Sequence, residues 1–252
     1  MVTMIMHGCN GTMGQVITGL AAEDEGIRIV AGVDPCQGKD KGYPVFPSLE
    51  QCDVEADVIV DFASAKAVEG LLAYSCSRKI PVVLCTTGLS EEQVEAVKKA
   101  SGQTAILRSA NMSLGVNLLL KLAGEAAKVL AGSGFDMEIV EKHHNKKVDA
   151  PSGTAIALAD SMNEAMEGQY SYTYDRSSRR EKRDPMEIGI SSVRGGSIVG
   201  EHDVIFAGRD EVVTFSHTAY SKAIFAKGAL EAAKFLAGKE PGLYTMTDVV
   251  GL

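Results

Sequence analysis

In the first half of the chain, short apolar runs alternate with stretches whose apolar positions recur every three or four residues. Residues 2–7 form the first run and break into Gly8-Cys9-Asn10-Gly11-Thr12-Met13-Gly14, after which Val16, Ile17, Leu20 and Ala21 share a helical face. A second run at 27–33 ends at Asp34. Residues 57–62, 80–85 and 104–107 read as further strands, with helices at 64–78 and 90–101 between them. Ser90 supplies a cap for the latter helix, and Glu91 and Glu92 suit the positive end of its dipole. This order predicts an α/β domain with a doubly wound parallel sheet, whose ligands collect outside the carboxyl ends of the strands. Thr86-Thr87-Gly88 and Ser109-Ala110-Asn111-Met112 fall there, beside the glycine turn.

Past residue 112 the pattern changes. Leu114, Val116, Leu118, Leu119, Leu122, Ala126, Val129 and Leu130 predict one long apolar helix, and a strand is expected at 135–144, where residues 135–140 alternate. Residues 188–193, 197–206 and 211–217 read as strands of a mixed or antiparallel sheet, giving a second, α+β domain. Residues 175–184 carry charge without apolar periodicity and read as a mobile, solvated linker. A helix at about 221–237 is expected to return to the first domain. The expected division is therefore 1–112 with 221–252, and 113–220.

Two segments carry candidate chemistry. The glycines at 8, 11 and 14 permit a tight turn and close approach of a pyrophosphate to a helix N-terminus, while Asp34, twenty positions beyond Gly14, can accept ribose hydroxyls. The spacing is G-x-x-G-x-x-G, and the strand before, helix after and acid at the next strand's end together point to a dinucleotide. The second segment, Glu141 to Ala155, crowds His143 and His144 with Lys142, Lys146 and Lys147 ahead of a helix start, where Pro151 suits the first helical position. Imidazoles move protons near neutral pH, and ammonium groups and unpaired helix N–H groups attract carboxylates. A small acidic substrate that also receives a proton fits this set. The bland alternative is a solvated basic loop with Ser152 or Asp149 capping the helix.

Composition narrows the partners. The net charge of −8 argues against a general nucleic-acid surface, and 45% hydrophobic with 23% charged residues is ordinary for a soluble globular protein of 252 residues. Five dispersed cysteines without a C-x-x-C pair argue against a disulfide framework or a zinc site, so no metal is expected and a reducing cytoplasm is. No apolar run reaches membrane-span length, and the first strand leaves no room for a signal peptide.

These motifs, with Ala110-Asn111-Met112-Ser113, His143-His144-x-x-Lys147-x-Asp149-Ala150-Pro151-Ser152-Gly153-Thr154-Ala155 and Arg194-Gly195-Gly196-x-Ile198-Val199-Gly200-Glu201-His202, resemble the 4-hydroxy-tetrahydrodipicolinate (dihydrodipicolinate) reductase family over essentially the whole chain. The resemblance implies an NADH- or NADPH-dependent reduction of a cyclic imine dicarboxylate in lysine biosynthesis, by a homotetramer built through the central domain. It implies His143 as acid/base residue and Lys147 as the other proton donor, with His144, Ser152, Gly153 and Thr154 on carboxylate. Gly8, Gly11, Thr12, Met13 and Gly14 would meet the pyrophosphate, Asp34 the adenosine ribose, and Thr86, Thr87, Gly88, Ala110, Asn111 and Met112 the nicotinamide end. The chain departs from the family at Thr12, where arginine is common, and lacks an arginine after Asp34, which favours NADH unless Lys39 or Lys41 compensates. Cys85, Asn145 and Lys146 are further departures. Two other readings are a dinucleotide sensor of the same fold without turnover, and a thiol-dependent dehydrogenase using Cys85.

Overall fold

A computed structural model describes residues 1–36, 38 and 41–251. The chain forms two compact units, Met1–Ser113 with Ala223–Gly251, and Leu114–Lys222.

The first unit holds a seven-stranded, wholly parallel sheet. Its strands are β1 (Val2–His7), β2 (Ile27–Val33), β3 (Val45–Phe46), β4 (Val58–Asp61), β5 (Val82–Leu84), β6 (Ala105–Arg108) and β12 (Gly242–Tyr244), and its helices are α1 (Thr12–Ala22), α2 (Val68–Arg78), α3 (Glu91–Ser101), α6 (Ala223–Leu236) and α7 (Met246–Val250). The spatial order β12-β6-β5-β4-β1-β2-β3 reverses at β1, so a crevice opens between the carboxyl ends of β1 and β4. Because strand side chains alternate, Ile5, Ile59, Val82, Leu84 and Ile106 pack on one face with Leu71 of α2 and Val97 of α3. The alternate residues Met4, Met6, Val58, Val60, Val83 and Leu107 are buried on the other. There α1 and α6 pack together, and Lys234 of α6 donates to Asp24 at 2.7 Å. Ser90 caps α3 in a reciprocal box with Gln93.

The second unit is a mixed five-stranded sheet, β11-β10-β7-β9-β8, comprising β7 (Asp136–His143), β8 (Ser171–Tyr174), β9 (Glu187–Arg194), β10 (Gly200–Ala207) and β11 (Val212–Ala219). The central β7 runs parallel to β9 and antiparallel to β10. Helices α4 (Leu114–Leu130) and α5 (Gly153–Ala165) bury Leu119, Ala123, Leu158 and Met162 against Met137, Ile139, Ile190 and Phe206 of the sheet. Burial of such side chains, at roughly 25 cal/mol per Å² of apolar surface, provides the drive that assembles this layer.

The strand expected at 135–144 runs from Asp136 to His143; charge masks its apolar alternation past Val140, while burial still alternates residue by residue. One expectation is corrected here. The 175–184 segment lacks regular structure but is not a free linker. Arg176 and Arg179 pair with Glu187, and Arg183 with Asp136 at 2.9 Å and Glu138 at 3.0 Å, so three of its basic groups are tied to the sheet while Arg180 and Lys182 are exposed.

Candidate active site

In the first unit, Gly8 lies at φ +81°, and a Cβ there would come within 2.7 Å of the Phe62 carbonyl oxygen. Gly14 sits so close to the turn that a Cβ would approach Cys9 Cα at 2.7 Å and run into the Gly8 carbonyl. Gly11 is the N-cap of α1, without a side-chain cap and without an acid in the first turn. Exposed Thr12 and half-buried Met13 open the helix. The turn therefore presents backbone and an uncapped helix start to an anion, the cradle a pyrophosphate needs.

Asp34 stands just past β2, its Oδ2 accepting from the Asn10 N–H at 2.9 Å and its Oδ1 from the Cys36 N–H at 2.9 Å. It borders a hollow of about 470 Å³ walled by Pro35, Val45, Phe46 and Pro47, room of the size small-ligand sites use. Lys41 is close enough to Cys9 to offset part of the rise that burial and Asp34 impose on that thiol. Lys39 lies outside the described residues.

Past β5, Thr86 is buried and donates to Asp61 Oδ2 at 2.6 Å, while exposed Thr87 and Gly88, at φ +73°, continue the loop. His7 Nδ1 lies 2.8 Å from Asp61 Oδ1, off the line of a well-aligned hydrogen bond. Past β6, Ala110 is exposed, Asn111 Oδ1 accepts from the Ser113 N–H at 2.8 Å, and the Met112 carbonyl packs on Gly228 of α6. All these loops leave the same edge of the parallel sheet. Burial, reinforced by the Asp61 carboxylate, pushes the Cys85 thiol well above its ordinary range, which disfavours a thiolate there.

The second unit gathers a different set. His143, the last residue of β7, is buried, with Nδ1 2.5 Å from Glu141 Oε2. Arg194 grips the same carboxylate with both terminal nitrogens, at 2.6 and 2.8 Å, and the Ser152 N–H donates to Oε1 at 3.1 Å. Burial alone would raise the Glu141 carboxyl, but hydrogen bonds from Arg194, Ser192, His143 and Ser152 hold it down at about 2. His202 of β10 sits edge-on to His143, ring centres 5.1 Å apart, with Nε2 3.0 Å from Ser152 Oγ. Burial, aided by His143, lowers His202 to about 4, so it is neutral near pH 7.

Ser152 is the N-cap of α5, its hydroxyl accepting from the Ala155 N–H at 3.1 Å. Pro151 therefore precedes the cap and is not the first helical residue, because the Ser152 side chain can close the first turn. Asp149 already engages this helix start: it pairs with Lys147 at 2.8 Å and accepts from the Gly153 N–H, and Lys147 holds its carboxyl below the usual range. His144 is half-buried with Nδ1 unpartnered, and Thr154 opens the helix beside Gly153.

The three lysines of the segment separate. Lys147 pairs with Asp149 and its charge reaches His202, Lys146 is exposed, and Lys142 points to the opposite face of β7, paired with Glu201 at 3.0 Å and Asp203 at 3.3 Å. The alternation of a strand places it there. Sequence reasoning passed over Glu141, Arg194 and His202 as site residues. The signal for Glu141 was its position two before His143, which in a strand means the same face.

Residues 2–112 match the family described as dihydrodipicolinate reductase, N-terminus, and residues 115–250 match its C-terminus. A 4-hydroxy-tetrahydrodipicolinate reductase from Caldanaerobacter subterraneus subsp. tengcongensis is 54% identical over 250 residues, covering 99% of this chain and 98% of its own. One from Clostridium novyi is 45% identical over 250 residues, with the same 99% and 98% coverage. The dipicolinate-bound dihydrodipicolinate reductase from Paenisporosarcina sp. TG-14 shares the fold with a TM-score of 0.82, at 24% identity and 97% coverage of both chains. The parallel dinucleotide sheet, the mixed second sheet and these full-length likenesses agree, and the chain belongs to the dihydrodipicolinate reductase family, whose members are 4-hydroxy-tetrahydrodipicolinate reductases.

Proposed function

We propose that this chain is an NAD(P)H-dependent oxidoreductase that converts 4-hydroxy-tetrahydrodipicolinate to tetrahydrodipicolinate with loss of water, in the diaminopimelate route to lysine. The observation that carries the reading is the convergence of His143, Lys147 and the start of α5 at the end of β7, in a chain whose glycine turn offers a pyrophosphate cradle. When bound, the dihydronicotinamide supplies hydride to the ring carbon of the cyclic imine.

The first unit holds the cofactor. Gly8, Gly11, Thr12, Met13 and Gly14 receive the pyrophosphate, Asp34 the adenosine ribose, and Thr86, Thr87, Gly88, Ala110, Asn111 and Met112 the nicotinamide end. In the second unit His143 delivers a proton through Nε2, and Lys147 is the second donor. His144 and the Ser152-Gly153-Thr154 start hold carboxylate, and a substrate carboxylate exchanges with Asp149 at Lys147 and the Gly153 N–H.

NADH is the favoured coenzyme. Asp34 presents a negative carboxylate where a 2′-phosphate would sit, and Thr12 brings no cation, leaving Lys41 as the described basic group nearby. The enzyme assembles as a cytoplasmic homotetramer through the second sheet, on which Val193 and Val212 are exposed.

The test is NADH oxidation followed by absorbance in a coupled assay that generates the unstable substrate, with NADH and NADPH titrated side by side. Turnover with a higher kcat/KM for NADH is expected. Coenzyme binding without turnover would establish the sensor instead, equal or reversed ratios would remove the coenzyme assignment, and a monomeric mass by light scattering would remove the tetramer.

A further inference from the structure

We propose that Glu141 is a positioning residue for proton transfer: it fixes the ring plane and tautomer of His143, while Gly200 keeps the opposite ring nitrogen clear. The inference rests on the assignment of His143 as the acid/base group and adds the device that aims it.

The geometry starts from strand periodicity. Along the inward face of β7 the residues are Met137, Ile139, Glu141 and His143, so an apolar surface becomes ionic in its last two positions. The Glu141 carboxylate is fully buried and cannot rotate freely. Arg194 grips both oxygens, and the Ser152 N–H binds Oε1. Arg194 is itself anchored, donating to the carbonyls of Val193 at 2.8 Å and Asp149 at 2.7 Å. A planar guanidinium fork on a carboxylate sets an orientation as well as an attraction.

An ionised carboxylate only accepts hydrogen bonds, so the His143 nitrogen 2.5 Å from it carries the proton in both the neutral and the charged ring. Nε2 then becomes the nitrogen that gains and loses the mobile proton. Gly200 faces that nitrogen. A Cβ built at position 200 would lie 3.0 Å from His143 Nε2, so a side chain there would crowd the atom that must reach substrate. Buried ion pairs are weak stabilisers, since desolvation offsets most of their attraction. A Glu–Arg pair in this position makes better sense as an orienting device than as a source of stability.

The experiment uses the full-length enzyme labelled with ¹⁵N-histidine, the His143 ring signals being identified by their loss in His143→Asn. Wild type should show the neutral Nδ1–H tautomer at His143. In Glu141→Gln that preference should weaken or invert, and kcat in the coupled assay should fall about 10²-fold or more, with the KM for NADH within about twofold. Gly200→Ala leaves Glu141 and Arg194 in place and covers the case in which Glu141→Gln fails to fold. It should lower kcat about tenfold or more while the Nδ1–H signal persists. A wild-type Nε2–H tautomer, or a folded Glu141→Gln with kcat within about threefold of wild type, would overturn the inference. If His143→Asn itself turns over normally, the acid/base assignment falls first. If His143→Asn is dead while Glu141→Gln is normal, that assignment stands and only the positioning role is lost.

Discussion

In the first unit, the turn from β1 to α1 offers a ligand backbone and empty space, made by Gly8 and Gly14 and an α1 start that no side chain caps. In the second, the end of β7 offers buried, mutually paired side chains: Glu141, Arg194, His143, His202 and Ser152. A site of the first kind is sensitive to added atoms and indifferent to protonation. A site of the second kind is sensitive to charge and pH, because each buried charge depends on its partner. Thr86, Asp61 and His7 bring a smaller buried polar group into the first unit, so the contrast is one of emphasis.

The largest effect should come from separating the two kinds of site by mutation. His143→Ala and Lys147→Ala should each lower kcat about 10²- to 10⁴-fold while leaving NADH affinity, measured by fluorescence titration, near wild type. Normal turnover in either variant would remove that residue from the mechanism. Next comes space alone: Gly14→Ala should cost about 1–3 kcal/mol in urea unfolding and weaken NADH binding, because the new carbon meets backbone. Gly19→Ala, in the same helix with nothing within 4 Å of the added carbon, should instead stabilise by about 0.5–1 kcal/mol. Equal effects at both positions would refute the steric account of the cradle.

Acid should then distinguish the units. His202 titrates near 4 when folded, against an ordinary 6.5, so the unfolded chain takes up its proton first and stability declines as pH falls from 6.5 toward 4. Glu141 is held near 2 against an ordinary 4.5, so its contribution is complete above pH 4.5 and is lost as pH falls toward 2. Urea melts across this range should lose this slope in His202→Gln between pH 6.5 and 4; an unchanged slope would show that His202 is not the group responsible. The smallest effect belongs to Asp149→Asn. If Asp149 competes with substrate carboxylate, the variant should lower the substrate KM about two- to fivefold, and a raised KM would mean that Asp149 supports the loop instead.

The first unit was the more legible one. Its strands are apolar runs, its helices carry an amphipathic face, and Ser90 and the three glycines announce their own roles. What escaped there was too short to be periodic, as with Val45–Phe46, which extends the sheet beside Asp34 and walls the adjoining hollow. The second unit hid its site because burying charge breaks the rule by which buried positions are recognised. Glu141-Lys142-His143 looks like a surface run, yet it is strand with two residues in and one out. Likewise Arg176 and Arg183 look solvated until Glu138 and Glu187 of the sheet come beneath them.

Pairing on both sides of β7 gives its alignment a chemical meaning. Glu141 lies opposite Ser192 on one neighbour and His202 on the other, and His143 opposite Arg194. Sliding this strand by one residue would exchange every inward side chain for its outward neighbour, seating the Lys142 ammonium where an imidazole belongs. An insertion or deletion of one residue within 137–142 is therefore expected to abolish turnover without replacing His143 or Lys147, whereas a two-residue change would restore the facing and displace the group only along the strand.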